Sequence, residues 1–234
     1  MKSRKPIAAG LMLASVGSGY LDVLCFRFLG EVLPSAMTGN LALLGRSLGE
    51  GDLLAATRNV CAFGGFFGGV LIGAALMRRS PGKARFLLTL TLQVAVLLGV
   101  ALLWHRHAEG ALRFGLIGAA SVGMGLQSAV AHRIGIHAVS TTYFTGTTAN
   151  IAFGLVSPDK PAQPAATRFG WPVLALACYV AGAALSAWDV AGRLLPTIPI
   201  GVPALPVATT LVLAISIMTV RLDDQRPLPL GKRE

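Results

Sequence analysis

The chain is short of charge. Only 13% of its 234 residues are Asp, Glu, Lys or Arg, against about 25% in an ordinary soluble domain. That shortage, with long apolar runs in a chain that is 54% apolar, excludes a soluble fold and points to a multi-pass membrane protein. Acids are scarcer than bases, 10 against 20. On a soluble chain a net charge of +10 would suggest nucleic acid. Here the bases gather in short loops and ends, so they are read as topogenic, and no nucleic-acid partner is expected. Cysteine is equally sparse. Cys25, Cys61 and Cys178 lie in apolar segments without a CxxC spacing, which excludes a disulfide framework and predicts buried, unreactive thiols.

Catalytic and cofactor signatures are missing too. There is no phosphate loop and no dinucleotide fingerprint. His105, His107, His132, Arg133 and His137 lack converging Cys or carboxylate partners, so they read as interfacial polar residues and no metal is expected. Ser128 and His132 share a helix face at i, i+4. No GxSxG-like elbow surrounds Ser128 and no third group orients the histidine, so no enzyme and no cofactor are expected.

What is present is a run of spans in a repeated order. The start mimics a signal peptide, but Asp22 and further spans follow, so an uncleaved first helix over 7–29 is expected. Gly30 to Pro34 breaks it, since Pro removes a donor and biases its predecessor away from helix. A short run at 35–48 follows, then a polar stretch at 50–58 and spans at 60–77 and 86–104. The second half repeats this with a span at 112–131, a short run at 143–156 and spans at 171–188 and 205–220. Gly64, Gly65, Gly68 and Gly69 stud the third segment, where close helix packing explains them.

A shift of 107 residues carries Val23 to Val130, Val32 to Val139, Thr38 to Thr145, Gly39 to Gly146 and Ala42 to Ala149. Residues 1–109 and 110–220 are therefore read as two repeats, with a charged tail at 221–234. Basic clusters at Lys2, Arg4 and Lys5 and at Arg78, Arg79, Lys83 and Arg85 belong on one side, the cytoplasmic one. An even number of crossings must separate them. The expected fold is thus an all-α, polytopic helix bundle of two inverted three-span repeats. Each has one short broken or re-entrant helix, and both termini are cytoplasmic. Eight short crossings in two parallel halves is the rival.

Asp22 is the sharpest residue. A carboxylate within a membrane helix is costly and normally faces a cavity, a partner or an ion path, unless it lies at the interface. Arg27, five residues on, is either its partner or an outer anchor. Thr38-Gly39-Asn40 and Thr145-Gly146-Thr147 read as helix starts, with Thr as the cap and Gly allowing a sharp bend. Helix starts attract anions. The competing reading is a packing motif, with Gly39 and Gly146 letting helices touch. Gln127 and Asn150 add polar groups that need partners, and Gln127 is read as the uncharged counterpart of Asp22.

Gly19-Tyr20-Leu21-Asp22, Met37-Thr38-Gly39-Asn40-Leu41, Gly125-Leu126-Gln127-Ser128-Ala129 and Thr141 through Thr147 resemble the YoaK-type family of uncharacterised bacterial membrane proteins. Ser128 stands where that family's pattern leads one to expect Asn. The resemblance implies a multi-pass protein of the bacterial cell membrane and brings no substrate with it.

The expected function is a small-solute transporter or channel, proton-coupled through Asp22 because burial disfavours a charged carboxylate, with a small anion as one possible cargo. Its expected binding residues are Asp22, Thr38, Gly39, Asn40, Gln127, Thr145, Gly146, Thr147 and Asn150. The alternative is a non-transporting assembly protein in which the Thr-Gly motifs only pack helices. The expected partners are the lipid bilayer, an unidentified small molecule or ion, and a second copy in a homo-oligomer.

Overall fold

A computed structural model describes residues 5–78, 82–104, 108–134, 144–156, 170–190 and 204–219. The histidines at 105, 107 and 137, the Pro-rich loop at 157–168 and the tail at 221–234 lie outside them. The described residues form helices α1 (Lys5–Phe28), α2 (Met37–Glu50), α3 (Leu53–Leu76), α4 (Lys83–Leu102), α5 (Gly110–Ile134), α6 (Phe144–Val156), α7 (Trp171–Val190) and α8 (Ala204–Thr219). Five of them, α1, α3, α4, α5 and α7, are long and apolar enough to cross a membrane, and α8 is a shorter apolar helix.

The helix ends follow from local chemistry. Past α1, Gly30 and Glu31 take positive φ of 96° and 60°, and the Glu31 N–H returns to Phe26 O, which stops the helix. Gly51, at φ 75°, closes α2 in the same way. Asp52 then caps α3 directly, its carboxylate accepting from the Ala55 N–H at 2.9 Å. So the polar stretch expected at 50–58 is mostly the first turn and a half of α3. Polar residues there are capping and first-turn residues, not a loop.

α1 and α5 are the most enclosed spans. α1 packs on α7 and α8, while α5 packs on α3 and α4. α4 also meets α8, α2 lies on α3, and α6 touches α7. Numbering along the contacts gives directions. Gly65, Gly69 and Gly73 of α3 meet Gly118, Val122 and Ala129 of α5 in rising order, so these helices run the same way. Gly10 and Gly17 of α1 meet Leu213 and Pro206 of α8 in falling order, so these run oppositely.

Two apolar clusters fill the ends of the bundle. One joins Leu11, Ala14, Phe86, Leu90, Val130 and Leu213, and the other joins Leu21, Cys25, Phe66, Leu97, Leu116 and Met124. Between them lie buried polar residues, Ser15 and Ser18 on α1, Gln93 on α4, and Gln127 and Ser128 on α5, with Thr209 and Thr210 just short of the first on α8. A polar layer therefore divides two apolar ones.

Candidate functional site

Asp22 is 1% exposed and three donors converge on it. The Ser35 N–H reaches Oδ1 at 2.7 Å, and the Ser35 and Tyr179 hydroxyls reach Oδ2 at 2.6 Å each. Ser35 precedes α2, and Tyr179 belongs to α7. Asp22 lies six residues before the end of α1, roughly 9 Å back along the axis. After leaving α1, the chain therefore turns back alongside it before α2 begins. Each carboxylate bond is charge-assisted and stronger than a neutral one. Arg27 makes no hydrogen bond or ion pair with Asp22.

Asn40 holds the same returning segment from the other side. Its Oδ1 accepts the Leu33 N–H at 2.8 Å, and its Nδ2 donates to Leu33 O at 2.7 Å. Together, Asp22 and Asn40 satisfy backbone groups that irregular chain would otherwise leave bare in an apolar setting. Next to this, Tyr20 donates to the Asp189 carboxylate of α7.

The expected cap is corrected. Ala36, not Thr38, is the N-cap of α2, no side chain caps it, and Thr38 is an exposed residue of the first turn. The chain leaves its extended path two residues earlier than the Thr-Gly pair because Asp22 and Asn40, on either side, fix Leu33 to Ser35. Gly39 is half-buried, and a Cβ on it would lie 2.7 Å from Leu33 Cδ1, a side-chain tip that would have to shift.

Gln127 belongs to a second cluster. Its Nε2 donates to Ser18 Oγ at 2.9 Å, and its Oε1 accepts from Gln93 Nε2 at 2.9 Å. Gln93 also donates to Thr210 Oγ1 at 2.9 Å, while its own Oε1 finds no partner. Gln127 is not the counterpart of Asp22 in packing. A Cβ on Gly182 would meet Val16 O, and one on Gly69 would meet Val122 O; likewise Gly19 abuts Tyr179 O and Gly125 abuts Phe66 O. The offset of 106 that carries Val16 to Val122 and Gly19 to Gly125 carries Asp22 to Ser128.

In the second short helix, Gly146 is exposed and Thr147 is buried. The side chains of Thr145 and Asn150 lie outside the described residues. Among the described residues α2 and α6 make no contact, so Thr38, Gly39 and Asn40 are not brought together with Gly146 and Thr147, although all are expected in one binding site. Each short helix packs on the span that follows it, which holds the pair apart. Of the expected site residues, the structure thus gathers Asp22 with Asn40, and Gln127 separately. Sequence reading missed Ser35, Tyr179, Ser18, Gln93 and Thr210. Only their polarity inside apolar runs marks them. No group of three His, Cys, Asp or Glu side chains gathers among the described residues.

A family described as a protein of unknown function, DUF1275, matches residues 10–220. The UPF0700 transmembrane protein YoaK of Bacillus subtilis (strain 168) is 32% identical over 148 residues, 60% of this chain. The match covers 64% of that relative, just under two thirds of its length. No solved structure matches.

Proposed function

The chain belongs to the DUF1275 family of multi-pass membrane proteins, and from that premise we propose that it carries a small solute across the bacterial inner membrane, with Asp22 as a proton-sensitive latch. The observation that carries this reading is the triple hydrogen bonding of Asp22 to Ser35 and Tyr179. It ties a non-helical segment of the first half to a span of the second. A packing role alone does not call for a carboxylate, because a buried charge is costly and an apolar or neutral group of similar shape packs at least as well. An ionised carboxylate only accepts hydrogen bonds; a protonated one must donate. Proton uptake turns one acceptor oxygen into a donor, so one of the hydroxyls has to turn round. The segment at 33–36 then loosens and opens a path beside α2. In the finer form of this reading the cargo is a small anion, drawn by the start of α2.

The finer architecture goes with it. Two inverted repeats, each with one re-entrant short helix, are supported by the mirrored packing of α1 on α7 and α5 on α3, and by the paired glycine contacts. Both termini are cytoplasmic on this reading, with the turn after α3 beside them. A Cys placed at Ser80, with Cys25, Cys61 and Cys178 replaced, is expected to label only from the cytoplasmic side. Labelling from outside intact cells would overturn the topology.

Transport itself is tested in liposomes with anions, weak acids and neutral solutes, with and without a pH gradient. Saturable flux that follows the gradient is expected. Asp22→Asn should remove that dependence while leaving solute binding near its original strength. A second reading, an assembly protein, draws on the fact that Asp22, Asn40 and Gln127 all bond to neighbouring protein groups. It takes over if no class of solute shows saturable flux.

A further inference from the structure

α3 and α4 barely touch, and at the end where α3 stops and α4 starts they leave a groove of about 770 Å³. Ile72, Ala75, Ala84 and Leu88 form apolar walls that are exposed on the outside of the bundle, where acyl chains lie. Arg78 and Arg85 line the same groove. The Arg85 guanidinium makes one hydrogen bond among the described residues, from Nη1 to Leu76 O at 2.8 Å, which leaves most of its five donors available. Arg78 is exposed, and its guanidinium makes no hydrogen bond or ion pair among the described residues.

Among the described residues the charge around the groove has one sign. Lys83, which donates to Met218 O, and Arg133, which donates to Met77 O at 3.3 Å, stand at the same end. The described acids other than Asp22 are Glu31, Glu50, Asp52, Glu109 and Asp189. Glu31, Asp52 and Glu109 follow α1, α2 and α4, and Glu50 and Asp189 lie in the last turns of α2 and α7, all at the opposite end of the bundle. No described carboxylate therefore competes for Arg78 and Arg85. One exposed and one half-buried guanidinium group over an apolar, membrane-facing cleft match a phosphodiester headgroup with its acyl chain below.

We propose that this groove seats an anionic phospholipid, its phosphate at Arg78 and Arg85 and one acyl chain along Ile72 and Leu88. The site is separate from the Asp22 cluster and does not depend on transport. Native mass spectrometry of the delipidated full chain tests it, with dioleoylphosphatidylglycerol titrated against dioleoylphosphatidylcholine. Two basic side chains give an expected preference of about thirtyfold for the anionic lipid, roughly fivefold from each. Arg78→Gln should lower the preference about fivefold, and the double variant with Arg85→Gln should bring it near parity. Arg46→Gln, at the opposite end, should leave it unchanged. Arg78→Gln is the variant to rely on, because Arg85 also ties down the end of α3. Equal binding of the two lipids, or a full preference in Arg78→Gln, overturns the proposal. So does displacement of the lipid by millimolar inorganic phosphate, since a free anion would then be the ligand.

Discussion

Asp22→Ala is expected to lower the stability of the folded protein by about 3–5 kcal/mol, the sum over three neutral donors left without their acceptor. The argument starts from what is left behind. The Ser35 N–H, the Ser35 hydroxyl and the Tyr179 hydroxyl all donate to this carboxylate. Ser35 is buried and Tyr179 half-buried, and each donor loses this acceptor at about 1–3 kcal/mol apiece before relaxation. Relaxation is limited, because Asn40 still pins Leu33 and so keeps Ser35 near the empty site. Asp22→Asn should cost less, since its Oδ1 keeps part of the network. Unfolding titrations in SDS-containing mixed micelles check the order, which is wild type, then Asn, then Ala. Tyr179→Phe removes one donor rather than the shared acceptor, so it should cost only about 1 kcal/mol. An Ala variant as stable as the Phe variant would mean that the carboxylate is not what holds the returning segment to α7.

The spans were legible because apolar runs bounded by Gly, Pro and charge leave few choices of boundary. The start of α3 was not. Its first turns carry Asp52, Thr57 and Arg58, and composition cannot separate a helix start from a loop when the cap itself is polar. Asp22 stood out as a lone carboxylate in an apolar run. Its partners did not, because Ser35 and Tyr179 are 13 and 157 residues away and hydroxyls are ordinary in membrane helices. The Gln127 assignment failed for a different reason. An offset of 107 aligns the Thr-Gly pairs, whereas the glycine contacts of α1 and α5 align at 106. One residue of slip turns a helix by about 100°. That slip puts Gln127 toward Gln93 and Ser18, and leaves Ser128 at the level of Asp22.

Gly182→Ala and Gly69→Ala are each expected to destabilise by about 3 kcal/mol, at the upper end of ordinary overpacking. A Cβ on Gly182 would lie 2.0 Å from Val16 O, and one on Gly69 would lie 2.2 Å from Val122 O. Both obstacles are backbone carbonyls inside α1 and α5, so neither can swing aside as a side-chain tip could. The helices themselves must separate, and α1–α7 and α3–α5 are the two most extensive helix pairings among the described residues. The run Gly64-Gly65-Phe66-Phe67-Gly68-Gly69 supplies its own controls. A Cβ on Gly64 or Gly68 would meet nothing within 4 Å. Ala there should be neutral or gain up to about 1 kcal/mol from helix propensity. The same micelle titrations, run on all four variants, separate contact from composition. Equal losses at Gly68 and Gly69 would mean that the run acts through backbone flexibility and not through the approach to α5. Similar losses at Gly69 and Gly182 are expected because each glycine faces a valine backbone carbonyl at nearly the same distance, and a double variant should lose about the sum if the two pairings are independent. A loss confined to one of the two would mean that the halves do not share one packing plan, and the inverted-repeat reading would go with it.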